Sequence, residues 1–202
     1  MQTHGLPNDL IWYFNPILVV LLLPFVQWML SSMASRSPIP SGSMVRITIG
    51  CLFIALSIAY VAIVQQLIYN SGPCYEFPTE CPAANGGPNE ISVWLQFPAY
   101  FFVALGEILA IITAYKYAYD MAPASMKSLV QASLLLTQGL GALLCLAISP
   151  TARNPQLVIM YATIAGIMFL ATTVFAVFFW NKDKELVRET SDTNGTEIET
   201  KE

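Results

Sequence analysis

The sequence predicts an all-α, polytopic membrane protein with about five transmembrane helices. Three observations carry this. Hydrophobic residues make up 55% of the 202-residue chain and charged residues only 11%, where a soluble domain has about 25% charged. Five apolar runs are each long enough to supply the roughly 20 helical residues that a hydrocarbon core of about 30 Å requires. The gaps between those runs hold most of the prolines, and most of the charge lies in those gaps or in the last 21 residues.

The runs, in order, are 13–33, 47–69, 91–119, 128–149 and 156–180. Each is expected to be a helix, because an open strand would leave backbone N–H and C=O groups unpaired in lipid. The residues before the first run, Met1 to Asp9, contain no Lys or Arg and no small-residue cleavage site, so they do not read as a secretory signal. The first run begins with Asn15-Pro16 and has Pro24 inside it. Asn15 has two readings, an N-cap for a helix with Pro at its first position or an amide pointing into a pathway. Pro24 frees a backbone carbonyl that a neighbour or a cavity must satisfy.

Ser37-Pro38-Ile39-Pro40-Ser41-Gly42 cannot continue a helix, since Pro lacks the N–H and Gly favours turns. The segment 70–90 after the second run holds four prolines, three glycines, Cys74 and Cys81. An oxidising compartment permits a disulfide between these cysteines, and two free thiols are the other reading. No His stands nearby and the spacing is not that of a zinc site. Cys51 and Cys145 fall inside apolar runs and read as packing residues.

The third run is the longest, at 29 residues, so it is expected to tilt or to extend beyond the lipid. Glu107 lies near its middle, where an acid costs roughly 3 kcal/mol to insert. Such a residue marks an ion or substrate path, or else is a protonated acid hydrogen-bonded between helices. Lys116, nine residues on, is about 180° away on a regular α-helix and so is not expected to pair with Glu107. It reads as a snorkelling lysine or as a gate or ion-pair contact. Ala122-Pro123 closes the run. The fourth run carries Gln131, Thr137, Gln138, Gly139 and Gly141, which read as helix-packing residues. Asn154-Pro155 marks the last turn, and residues 182–202 form a polar tail without the apolar content to pack, expected to be disordered.

Sidedness follows from the positive residues. Arg36, Arg46, Lys127, Lys182, Lys184, Arg188 and Lys201 fall in alternate gaps and the tail, and only Arg153 falls opposite. Positive residues accumulate on the cytoplasmic side, so the C-terminus is expected inside, the N-terminus outside, and the 70–90 loop extracellular. No basic patch suited to nucleic acid is present. No Walker loop, nucleophile elbow or metal-ligand cluster is present either, so neither an enzyme nor a cofactor is expected.

The third and fourth runs also carry a resemblance. Asn89-Glu90-Ile91-Ser92-Val93-Trp94-Leu95-Gln96-Phe97-Pro98-Ala99-Tyr100, then Gly106-Glu107, then Ala122-Pro123-Ala124-Ser125-Met126-Lys127-Ser128-Leu129-Val130-Gln131-Ala132 resemble the tenth and eleventh helices of proton-coupled oligopeptide transporters. Met1-Gln2-Thr3-His4-Gly5-Leu6-Pro7-Asn8-Asp9-Leu10 and Phe14-Asn15-Pro16 resemble the start of their eighth helix in its fungal form, and the likeness runs from residue 1 to about 181. The resemblance implies most of the C-terminal half of a major facilitator fold, helices eight to twelve, in a plasma-membrane symporter of di- and tripeptides and protons. Glu107 then matches the acid that receives the peptide's amino terminus, and Asn15 the amide that hydrogen-bonds the same end.

Leu134 stands where the family commonly has Trp or Phe, and Ala114-Tyr115-Lys116 where it often has Gly-Leu-Glu before a Tyr. The first seven helices, with the family's proton-coupling motif, have no counterpart here. The chain is therefore expected to need an N-terminal transporter half and not to transport alone. The alternative is a non-transporting membrane interaction protein, which would seal Glu107 among its own helices.

Overall fold

In the computed structural model, residues 13–36, 42–71, 91–154 and 156–199 are described. Residues 72–90, with Cys74 and Cys81, lie outside them.

Among the described residues, five helical spans are long and apolar enough to cross a membrane. The first is α1, Phe14–Arg36, which runs on through Pro24. The second, α2, covers Ser43–Asn70. It stops where Ser71 turns extended and its N–H bonds back to the Ile68 carbonyl. The third span has four parts: a 3-10 turn at Val93–Gln96, α3 at Phe97–Glu107, a π-helical turn at Ile108–Ile112, and α4 at Thr113–Met121. It ends at Ala122, whose ψ of 134° is extended, as the steric demand of the following Pro123 requires. The fourth span is α5, Lys127–Ile148, closed by a 3-10 turn at Ser149–Thr151. The last helix is α6, Leu157–Glu199.

The apolar part of α6 ends at Phe179, yet the helix continues through the segment expected to be a disordered tail. The expectation rested on packing, but a helix already nucleated in the span needs only propagation. No Pro or Gly interrupts residues 181–194, so nothing local stops it.

The centre of the bundle is α2. It packs most extensively on α6 and next on α3. It buries Ala55 and Ala62, one small residue every seven, and α6 buries Ala165 and Thr172 at the same spacing. Small residues at that repeat let two helices approach along a shared seam. Toward the third span the backbones approach closely. A Cβ on Gly50 would lie 2.8 Å from the Ala110 Cβ, and one on Gly106 would lie 2.8 Å from the Gly50 carbonyl oxygen. Two hydroxyls of α2 brace the same seam, Ser57 donating to the Ala99 carbonyl (2.8 Å) and Tyr60 to the Leu95 carbonyl (3.1 Å). Phe53 stacks on Phe102, with centroids 6.2 Å apart.

By contrast α1 leans on the third span, where Val26 joins Ile108 and Leu109 in a buried apolar cluster. Least integrated is α5, none of whose residues is buried. Gly139 and Gly141, expected to pack closely, have nothing within 4 Å of where a Cβ would sit.

Candidate functional site

The two polar residues that the sequence singles out meet. Asn15 Nδ2 donates to both carboxylate oxygens of Glu107, at 3.3 Å to Oε1 and 3.1 Å to Oε2. Ninety-two residues separate them in the chain, so the contact is tertiary. Neither is fully buried.

Each member is held in place by its helix. Glu107 is the last residue of α3, directly after Gly106, whose missing side chain lets the backbone lie against Ile54 and the Gly50 carbonyl. Gly106 therefore fixes how far Glu107 stands from α2. Side chains on a helix lean toward its N-terminus, so Glu107 reaches toward the start of the span. Asn15 comes to meet it from the first turn of α1.

Two expectations change here. Asn15 does not cap its helix. A cap needs the side-chain oxygen to accept a backbone N–H, whereas Asn15 Oδ1 is buried with no hydrogen-bond partner among the described residues. It also sits deeper than its place at the start of the first apolar run suggests. Its partner Glu107 lies at the midpoint of the third span, Val93–Met121.

The second change concerns Lys116. A π turn admits one extra residue, which re-phases everything beyond it by about 100°. The expected half-turn between Glu107 and Lys116 thus shrinks to about 80°. The nine-residue separation still puts them roughly 13 Å apart along the axis at 1.5 Å per residue. Lys116 is exposed. Among the described residues, no salt bridge to it or to Glu107 is formed.

Other polar groups predicted in the fourth span are structural where they bond at all. Gln131 Nε2 donates to the Tyr115 carbonyl at 3.2 Å, as expected of a contact between helices, and Thr137 bonds within its own helix to the Leu134 carbonyl. Sequence reasoning missed Gly50, the packing role of Gly106 in setting the position of the acid, and the π turn beyond it.

Chemically, the pair offers a cation two kinds of acceptor. The carboxylate keeps lone pairs beyond those taken by the Asn15 amide, and Asn15 Oδ1 keeps its own. An ammonium group, with three donors and no acceptor, matches that set.

The family comparison bears on the whole bundle. The PTR2 model of the POT family matches residues 1–177. A protein named peptide transporter imqD from Aspergillus flavus is 39% identical over 181 residues, 89% of this chain and 45% of its own length. The probable peptide transporter ptr2 of Schizosaccharomyces pombe is 40% identical over 184 residues, covering 91% of this chain and 29% of its own length. The chain thus spans less than half the length of these relatives. Among solved structures, the in meso crystal structure of the POT family transporter PepTSo superposes with a TM-score of 0.65 at 23% identity, over 85% of this chain and 33% of that one. The bundle therefore shares its fold with a POT transporter. The family match over residues 1–177 and the five membrane-spanning helices lead to one conclusion: this chain is an integral membrane protein of the POT family.

Proposed function

We propose that this chain forms one wall of the binding cavity of a proton-coupled di- and tripeptide symporter, corresponding to its helices eight to twelve. Glu107 and Asn15 receive the peptide's amino terminus. The observation that carries the reading is the Asn15–Glu107 hydrogen bond beside an unpartnered Asn15 Oδ1. A cationic amine leaving water requires a carboxylate and further acceptors to replace its hydration, and this pair supplies both. The fungal relatives are named as peptide transporters, which agrees with that use.

The remaining parts of the function lie beyond these five spans. An N-terminal half supplies the opposite wall and the proton-coupling groups, and alternating access occurs between the two halves. The half-buried state of Glu107 and the lack of any buried residue in α5 support an incomplete site over a sealed, self-sufficient one. The protein resides in the plasma membrane with its N-terminus outside and its C-terminus cytoplasmic.

A chimera tests this directly. The C-terminal part of the Schizosaccharomyces pombe relative is replaced by residues 1–177 of this chain, and uptake of a labelled dipeptide is measured. Uptake that depends on a proton gradient, is lost in Glu107→Ala and fails for the N-acetylated dipeptide is expected. The same assay on vesicles holding this chain alone is expected to show none. Chimera uptake indifferent to Glu107→Ala would sink the assignment.

A further inference from the structure

The contact between Asn15 and Glu107 depends on how the first turn of α1 is held, and α1 has few supports. Among the described residues, its extensive packing is confined to the third span. Two anchors can be named. Val26 is buried with Ile108 and Leu109, and Phe14 lies edge-on to two rings of the third span. The Phe14 ring is 6.5 Å from Trp94, at an interplanar angle of 69°, and 6.5 Å from Phe97, at 84°. Both are T-shaped pairs, the arrangement the ring quadrupoles favour.

The spacing along α1 decides which anchor governs Asn15. Phe14 is its immediate neighbour. Val26 is eleven residues away, about 16 Å along the axis. Trp94 and Phe97 belong to the same span as Glu107, one in the opening 3-10 turn and one at the start of α3. The notch that receives Phe14 and the carboxylate that receives Asn15 thus stand on one rigid support.

We infer that Phe14 is a positioning residue: by docking between Trp94 and Phe97 it presets the Asn15 amide on Glu107 before any ligand arrives. The inference deepens the proposed amine site and rests on it only for its use. The geometry itself is testable without transport. With the notch empty, the first turn of α1 is free to leave the third span, and the Asn15–Glu107 contact goes with it. Losing both ring pairs weakens docking by about tenfold or more.

Infrared difference spectroscopy of the full chain in lipid nanodiscs tests this. The carboxyl band abolished by Glu107→Gln is assigned to Glu107, and Asn15→Ala defines its position without the hydrogen bond. The band in Phe14→Ala is expected to move to the Asn15→Ala position. In Phe14→Tyr, which keeps the ring, it is expected to stay at the wild-type position. Phe25→Ala is the control for general loosening of α1, since Phe25 is 57% exposed, and the band is expected to stay put there also. The inference is overturned if Phe14→Ala keeps the wild-type band, if Phe25→Ala moves it equally, or if Asn15→Ala leaves it unmoved. Failure of the proposed function reads differently: the chimera would then transport independently of Glu107 while the band still followed Phe14.

Discussion

Two regions of this bundle are built from similar residues and end up in opposite conditions. Around Gly50 and Gly106, α2 and the third span approach until backbone meets backbone, with Ala104, Ile108 and Ala110 buried beside them. Along α5, the glycines face open space and leucines such as Leu135 and Leu136 are more than half exposed. Only Lys127, Val130, Gln131 and Leu134 are partly covered, a single stripe at i, i+3, i+4 and i+7 that leans on the third span through its first two turns. The acid at the candidate site belongs to the first region. Its place is therefore set by contacts that cannot slide, while α5 is held by that stripe and the Gln131 hydrogen bond to the Tyr115 carbonyl. The contrast separates a scaffold that fixes chemistry from an element that other surfaces can claim.

The largest test of this contrast substitutes equivalent glycines. Gly50→Ala or Gly106→Ala forces a methyl group into neighbouring backbone, and overpacking of that kind costs about 1–3 kcal/mol. Gly139→Ala and Gly141→Ala meet nothing and gain roughly up to 1 kcal/mol of helix propensity. Folded fractions measured by denaturant titration in mixed micelles should split the two pairs in opposite directions. Equal destabilisation at Gly139 would break the comparison.

Next in size is Ser57→Ala. It removes a buried donor to the Ala99 carbonyl and is expected to cost about 1–2 kcal/mol in the same titration. A smaller loss, roughly 0.6 kcal/mol, is expected for Gln131→Leu, the typical value for one hydrogen bond between membrane helices. Its separate effect should be faster amide exchange at the start of α5 with α2 unchanged. The smallest change is expected for Lys127→Gln, whose ammonium sits 4.1 Å from the Tyr119 ring centroid. An exposed cation–π contact contributes about 0.5 kcal/mol, visible as exchange in the turn between α4 and α5 and scarcely in global stability.

What the sequence could and could not disclose follows the range of the forces involved. The spans were legible because lipid imposes one local requirement, an apolar helix of sufficient length, and each run from 13–33 to 156–180 meets it on average. Glu107 was legible for the opposite reason, as the residue that breaks that requirement. That Asn15 serves the same site was reached only through family resemblance, and the direct bond between them was not foreseen, since nothing local distinguishes a cap from a partner 92 positions away.

The glycines show the limit most clearly. Gly139 and Gly141 looked like packing residues, but two positions apart they point about 200° from each other and cannot form a common groove. Gly50 and Gly106 pack only because each meets the other's helix, which no single helix records. The π turn was hidden as well. Ile108-Leu109-Ala110-Ile111-Ile112 is as apolar as the α-helical stretch before it, and its composition carries no mark of the extra residue. The helix that runs on into the polar segment after Phe179 reflects continuity with the span, which composition alone does not register.

The two hydroxyl braces of α2 have a consequence for how this chain can change over generations. Ser57 and Tyr60 bond to carbonyls of the third span's main chain, groups that every amino acid possesses. Replacements at Leu95 and Ala99 that fit the available space therefore leave both bonds intact, while replacement of either hydroxyl loses one outright. These two bonds constrain positions 57 and 60 of one helix and leave the side chains at 95 and 99 of the other free to drift within the available space. Comparison of related sequences should accordingly find tighter restriction at 57 and 60 than at the positions they grip.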